Sequence, residues 1–168
     1  MSVNFFCTNC KEPVRNDSVF GLCDDQIQTK AYSTTESPDK WNATVRNELR
    51  KEVAFTPLDK CLKILKPGTA DEESLCDGML TFDNSLYLVE LKDKGKRWKE
   101  DAKDQLTNTI RLLKEHHPDF KSTFRYLKAY PCNRKHPHFA VIDNAEQKEF
   151  MKMTDGFRLD VNALITLR

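Results

Sequence analysis

Residues 76–92, CDGMLTFDNSLYLVELK, contain two runs of alternating side chains joined by a short polar stretch. Alternation with a period of two is typical of β-strands, in which successive side chains point to opposite faces. The joining stretch Asp83-Asn84-Ser85 has the composition of a tight turn. The pattern therefore predicts a β-hairpin with one strand over 75–82 and the other over 86–92.

Three charged residues occupy this hairpin at positions where strands rarely carry charge. Asp77 lies early in the first strand, and Glu90 and Lys92 finish the second strand on one face, after an apolar run. Two converging carboxylates can hold a hard cation such as Mg²⁺, and a neighbouring Lys can orient or deprotonate an attacking water. The pattern favours metal-assisted phosphodiester hydrolysis. The alternative is a solvated charge pair at an exposed strand end.

The spacing Asp77-x12-Glu90-Leu91-Lys92 resembles the motif of the PD-(D/E)XK nuclease superfamily, although Cys76 stands where the family usually has proline. The resemblance implies that Asp77, Glu90 and the carbonyl of Leu91 bind Mg²⁺ or Mn²⁺ and that Lys92 positions the water. It implies a hydrolase that cuts nucleic acid, preferably DNA, in a restriction, defence, repair or toxin setting. A homodimer is possible and would permit double-strand cuts.

The predicted elements follow the αβββαβ order of the restriction-endonuclease-like core, which implies an α/β (α+β) fold with a mixed central sheet flanked by helices. This core covers about 38–130, between an N-terminal extension (1–36) and a C-terminal strand–helix–strand addition (131–168). Helices are predicted over 37–53, 96–116 and 145–153. Strands are predicted over 3–7, 18–23, 61–66, 75–82, 86–92, 122–130, 139–142 and 157–167.

Two polar residues interrupt the apolar stripes of the predicted helices. Glu48 falls beside the stripe of the helix over 37–53, and Gln105 lies inside the stripe of the helix over 96–116. In the resembled family the first core helix often carries a Glu near the metal site, and several branches have a Gln after the E-x-K strand. Glu48, with Glu52 as a weaker candidate, and Gln105 are therefore candidate catalytic residues. The alternative for Glu48 is a surface ion pair.

Basic residues cluster after the E-x-K strand and in the loop at 131–138. Cations beside a metal site would bind a phosphate backbone, whereas the bland interpretation is a solvated helix start. His136, in the same loop, is a weak candidate for a general base. The candidate nucleic-acid contacts are Lys94, Lys96, Arg97, Lys99, Arg134 and Lys135.

The whole chain gives few further constraints. Its 168 residues suit one domain over 1–168, and a net charge of +1 predicts no partner by itself. No segment is apolar enough to span a bilayer, and the start lacks an export signal, so we expect a cytoplasmic protein with no membrane partner. Six cysteines without such a signal are then expected to be reduced thiols.

Two other functions remain open from the sequence. Cys7, Cys10 and Cys23 supply three thiols for a zinc site, but no fourth ligand lies at finger spacing. The same fold also serves non-enzymatic nucleic-acid-binding, immunity or adaptor proteins. The intact Asp77, Glu90 and Lys92 argue for the enzyme.

Overall fold

The structure, a computed structural model, describes residues 3–6, 9–25, 27–135 and 141–168. Within these ranges the chain combines a 4-stranded and a 5-stranded sheet with helices, which confirms the predicted mixture of α and β structure. The strands are β1 (Val19–Cys23), β2 (Tyr32–Thr34), β3 (Ala43–Arg46), β4 (Ala54–Pro57), β5 (Gly78–Phe82), β6 (Ser85–Lys92), β7 (Tyr126–Asn133), β8 (Arg158–Leu159) and β9 (Leu164–Thr166). The helices are α1 (Trp98–His116), α2 (Phe120–Thr123) and α3 (Asn144–Met153).

The larger sheet has the order β4-β5-β6-β7-β8 and contains the predicted hairpin as β5 and β6. β4–β5 and β5–β6 are antiparallel pairs, whereas β6–β7 and β7–β8 are parallel pairs. α1 forms the crossover between β6 and β7 and packs on both strands. Glu90 and Lys92 thus lie on the central strand of this sheet, and Asp77 directly precedes the neighbouring strand.

Side chains on the two faces of the larger sheet enter two separate apolar clusters. On one face Leu86 and Leu88 pack with α1 residues such as Leu106. On the other face Tyr87 and Val89 join residues of the smaller sheet, whose order is β2-β1-β3-β9. β6 therefore alternates as predicted, and Glu90 and Lys92 continue the series of Leu86 and Leu88 on the α1 side.

The helix predicted over 37–53 is wrong. Residues Pro38–Lys40 form one 3₁₀ turn, and the chain then enters β3. Val45 is fully buried between neighbouring strands, whereas Leu49, assigned to the same helical stripe, is 73% exposed. Pairing of β3 with β1 and β9, which lie far away in sequence, overrides the local helical pattern.

Other predicted elements differ at their bounds or in kind. Residues 61–66 contain only one bridge, Leu65 to Glu72, and the predicted last strand is split into β8 and β9, which belong to different sheets. Residues 3–6 and 141–142 are not strands, while 7 and 139–140 lie outside the described residues. In the described ranges no helix is both long and apolar enough to cross a membrane.

One disulfide joins Cys10 to Cys61, so the expectation of reduced thiols is wrong for these two residues. It also removes Cys10 as a zinc ligand, while Cys7 lies outside the described residues. The bridge closes a sequence separation of 51 residues. Loop-closure entropy for a ring of this size corresponds to about 4 kcal/mol of stabilisation.

The N-terminal segment 3–6 is held against the end of α1 by two histidines. The Val3 N–H donates to His116 Nδ1 at 3.0 Å, and the Phe5 N–H donates to His117 Nε2 at 2.9 Å. Phe5 is fully buried, with its ring edge-on to His117. Both imidazoles act as acceptors, so this contact requires their neutral forms.

We expect the fold to lose stability as the pH falls below the ordinary pKa of histidine. Burial, and secondly the charge of His116, lowers the pKa of His117 from its ordinary 6.5. The folded pKa is depressed, so the stabilisation is complete above pH 6.5 and declines as the pH falls towards the folded pKa. Urea unfolding at pH 7.5 and 5.5 measures the change in the free energy of unfolding. His117→Gln is the comparison, because the Gln side chain can accept the Phe5 N–H but does not titrate. An unchanged pH dependence in His117→Gln would contradict the assignment.

Candidate active site

The ladder between β5 and β6 ends at Gly78 and Val89, and side chains continue the hydrogen bonding beyond it. The Asp77 N–H donates to Glu90 Oε1 at 3.0 Å, and the Leu91 N–H donates to Asp77 Oδ2 at 2.6 Å. These reciprocal bonds fix both carboxylates at the end of the hairpin. Asp77 and Glu90 therefore converge on the same side of the sheet, as the alternation predicted.

Lys92 completes this network from the next position on the same face of β6. Its Nζ lies 3.0 Å from Glu90 Oε2, and the Lys92 and Glu90 side chains are 12% and 7% exposed. Burial alone would lower the pKa of Lys92, but the charges of Glu90 and Asp77 outweigh it and raise the pKa. Lys92 is therefore an ammonium at neutral pH, suited to orienting a water or a phosphate oxygen rather than to accepting a proton.

When both are ionised, the two acids carry more negative charge than Lys92 neutralises. Burial raises the pKa of Asp77 well above its usual range, and the charge of Glu90 adds to this shift. Burial also raises the pKa of Glu90, although Lys92 opposes it. A site that disfavours ionised carboxylates in this way gains stability when a cation binds.

Asp24 is a third acid of the site that the sequence analysis missed. It directly follows β1, and its carboxyl lies near enough to that of Asp77 to contribute to the raised pKa of Asp77. The Asp24 N–H donates to Asn42 Oδ1 at 2.9 Å, and Asn42 Nδ2 donates to the Lys92 carbonyl at 3.4 Å. The buried Asn42 thus ties the smaller sheet to the end of β6. An acid directly after an apolar strand was the available sequence signal, as for Glu90.

Gln105 lies on the face of α1 that covers the hairpin. One turn further along, the Thr109 hydroxyl accepts the Cys76 N–H at 2.7 Å, and one turn before it Asp101 acts electrostatically on Lys92. Gln105 thus shares the face of α1 on which Asp101 and Thr109 lie, at the end of the hairpin that carries the acid pair. Its Oε1 is buried and has no hydrogen-bond donor among the residues that the structure describes.

Glu48 does not join the site, and its assignment to a core helix is wrong. The neighbouring Asn47 N–H donates to the Ser18 carbonyl, just before β1, whereas Asp24 lies just after β1. Glu48 is therefore at the opposite end of this strand from Asp24, and its side chain is exposed. Glu52, the weaker candidate, is exposed as well.

The predicted basic residues lie on two adjacent loops beyond Lys92. Because Lys92 pairs with Asn133, the loops that follow β6 and β7 start side by side, and the Arg134 N–H donates to the Lys92 carbonyl at 3.0 Å. Lys99 is paired with Glu146 at 3.3 Å, and His136 lies outside the described residues. The exposed cations of these loops are Lys94, Lys96, Arg97, Arg134 and Lys135.

The acids do not form a ready-made metal cage. In the part of the chain that the structure describes, no group of three or more His, Cys, Asp or Glu side chains is arranged as a metal site. Glu90 Oε1 accepts the Asp77 N–H and Oε2 pairs with Lys92.

Comparison of the chain with protein-family models, characterised proteins and solved structures gave no match.

Proposed function

We propose that this chain is a divalent-metal-dependent nuclease that hydrolyses phosphodiester bonds, with DNA as the preferred substrate. One observation carries the proposal. Asp77, which directly precedes β5, forms one largely buried network with Glu90 and Lys92 of the neighbouring β6, at the end of the hairpin in the middle of the larger sheet. Burying three charged groups together costs stability, so a structural role alone gives little reason to retain them.

The donor set fits Mg²⁺ or Mn²⁺. Both are hard cations that prefer carboxylate and carbonyl oxygens, and Mg²⁺ usually keeps several waters when only one or two carboxylates bind it. Asp77 and Glu90 would supply the carboxylates and Leu91 a carbonyl, with Asp24 as a further acid. The unpartnered acceptor of Gln105 would suit a donor such as a coordinated water. Such a cation would supply Lewis-acid activation of the phosphate and its attacking water.

The protein's own residues would then have three separate roles in catalysis and substrate binding. The Lys92 ammonium would orient the attacking water and offset charge that develops on the phosphate oxygens. Asn42 would hold Asp24 and the end of β6 together, so that the acids keep their positions. The exposed cations after β6 and β7 would bind the phosphates on either side of the cut.

A cleavage assay tests the proposal. Supercoiled plasmid, linear duplex, single-stranded DNA and RNA are incubated with Mg²⁺, Mn²⁺ or EDTA, using the parent and Glu90→Gln. We expect cleavage by the parent with a divalent cation, and none with EDTA or by Glu90→Gln. The proposal fails if the parent cuts none of the four substrates, or if Glu90→Gln cuts as fast as the parent.

A second candidate function is nucleic-acid binding without cleavage, as in an immunity or adaptor protein. The direct Glu90–Lys92 ion pair favours it, because both Glu90 oxygens are already engaged. In that case nucleic acid binds equally well with EDTA and with Mg²⁺, and no substrate is cut.

A further inference from the structure

A cavity lies next to the candidate active site, on the side of the smaller sheet. Its volume is about 280 Å³, and its walls include Trp41, Asn42, Arg46 and Arg134. Two of these residues contact Lys92 directly, since Asn42 Nδ2 and the Arg134 N–H both donate to the Lys92 carbonyl. An occupant of this cavity would therefore lie next to the backbone of Lys92 at the end of β6, whereas the Lys92 side chain lies on the α1 side of the sheet.

Trp41 is fixed as a flat wall of the cavity. A Cβ added at Gly21 would lie 2.1–2.4 Å from three atoms of the Trp41 five-membered ring, so the Gly21 backbone covers one ring face. The indole Nε1 donates to the Glu36 carbonyl at 2.8 Å, which prevents the ring from rotating. The side chain is only partly buried. A ring held in this way is a stacking platform for another planar group.

Two arginines border the same cavity. Arg46 on β3 and Arg134 after β7 are exposed, and neither forms an ion pair within the described ranges. A guanidinium without a carboxylate partner is suited to bidentate phosphate contacts. An indole face and two such groups on one cavity match the two parts of a nucleotide, its base and its phosphates.

We propose that this cavity holds one unpaired nucleotide of the substrate, with its base on Trp41 and its phosphates on Arg46 and Arg134. The inference rests on the proposed function and names the substrate class as single-stranded or locally unpaired nucleic acid. A base inside a duplex is stacked and paired on both sides, so it cannot reach the Trp41 face without leaving the helix. With a volume of about 280 Å³, the cavity has room for one planar base.

Binding in EDTA tests this inference without relying on cleavage. Fluorescence anisotropy would compare a labelled oligothymidine, an RNA of equal length and a blunt duplex, using the parent, Trp41→Leu, Arg46→Ala and Arg134→Ala. Arg125→Ala is the matched control, because Arg125 is exposed and directly precedes β7 while Arg134 directly follows it. In the Trp98→Phe background Trp41 is the sole tryptophan, so its quenching reports stacking directly.

We expect single strands to bind at least tenfold more tightly than the duplex and to quench Trp41. Trp41→Leu should weaken this binding roughly tenfold, within the range measured for base stacking on aromatic residues. Arg46→Ala and Arg134→Ala should each reduce the slope of the logarithm of the binding constant against the logarithm of the salt concentration by about one. Arg125→Ala should change neither the affinity nor this slope. The DNA and RNA arms identify the preferred sugar.

Equal binding of duplex and single strand, or absence of Trp41 quenching, would overturn the inference. If Trp41→Leu does not fold, unchanged binding by Arg46→Ala and Arg134→Ala would overturn it as well. Failure of the nuclease proposal looks different. Trp41-dependent binding would then persist while no substrate is cut with any metal.

Discussion

Replacing Asp77 with Asn is expected to abolish metal-dependent cleavage and, at the same time, to raise the melting temperature of the metal-free protein. Cleavage is lost because a cation ligand is lost. The fold is kept, since the Asn carbonyl can still accept the Leu91 N–H and its amide can donate to Asp24. Stability rises because the variant no longer buries an ionisable acid.

The raised pKa of Asp77 determines how the difference in stability between Asp77→Asn and the parent changes with pH. Burial raises the folded pKa of Asp77 well above its ordinary 3.8, so the parent's stability from this group is complete below pH 3.8 and is lost as the pH rises through the folded pKa. The melting temperature of Asp77→Asn should therefore exceed that of the parent by a margin that widens from about pH 4 upwards.

Asp83→Asn is the matched control for Asp77→Asn. Asp83 lies in the turn of the same hairpin, is exposed, and pairs with Lys51 at 2.6 Å. Its substitution should leave cleavage unchanged and lower stability by at most about 1 kcal/mol, as for a surface ion pair. A melting temperature of Asp77→Asn below that of the parent at pH 8, or full activity, would contradict the account of the site.

The second large effect is expected for Lys92→Met, which should reduce the cleavage rate by about 10²–10⁴-fold while nucleic-acid binding is retained. Lys92 is the sole cation within hydrogen-bond reach of Glu90 in the described structure, at 3.0 Å. Removing it leaves an uncompensated buried acid, which costs about 3–5 kcal/mol when that acid is ionised. Because the pKa of Glu90 is raised, protonation relieves part of this cost at low pH.

A double variant separates catalysis from folding. Adding Glu90→Gln to Lys92→Met removes the stranded charge, so the melting temperature should recover towards that of the parent while cleavage stays absent. Cleavage and thermal unfolding measured side by side at pH 5.5 and 8 show whether Lys92 acts in catalysis or only stabilises the fold. Parent-like cutting by Lys92→Met would reduce Lys92 to a structural partner of Glu90.

The hairpin and the helix after it were predictable because their signals are local. Alternation over 75–82 and 86–92 reports which residues face the two cores, and the Asp83-Asn84-Ser85 turn fixes the register. Once this register is known, Asp77 must lie opposite Glu90. The convergence of these two acids therefore follows from the sequence.

The remainder of the site depends on contacts between distant parts of the chain. Trp41, Val45 and Leu49 fall at helical spacing, and only the pairing of β3 with β1 and β9 reveals that Val45 lies on a strand. Asp24 reaches Asp77 because the smaller sheet packs over the larger one, an arrangement that no local pattern encodes. For this reason the third acid was expected from Glu48, and Asp24 went unnoticed.

Direct measurement of Mn²⁺ binding tests the central claim, that Asp77 and Glu90 hold a divalent cation beside Lys92. Electron paramagnetic resonance of free Mn²⁺ during a titration counts the bound ions without requiring a substrate. The account predicts about one or two Mn²⁺ per chain for the parent, Mg²⁺ competition for the same sites, and loss of this binding in Asp77→Asn and Glu90→Gln. Binding that is absent in the parent at millimolar Mn²⁺, or identical in all three proteins, would contradict it.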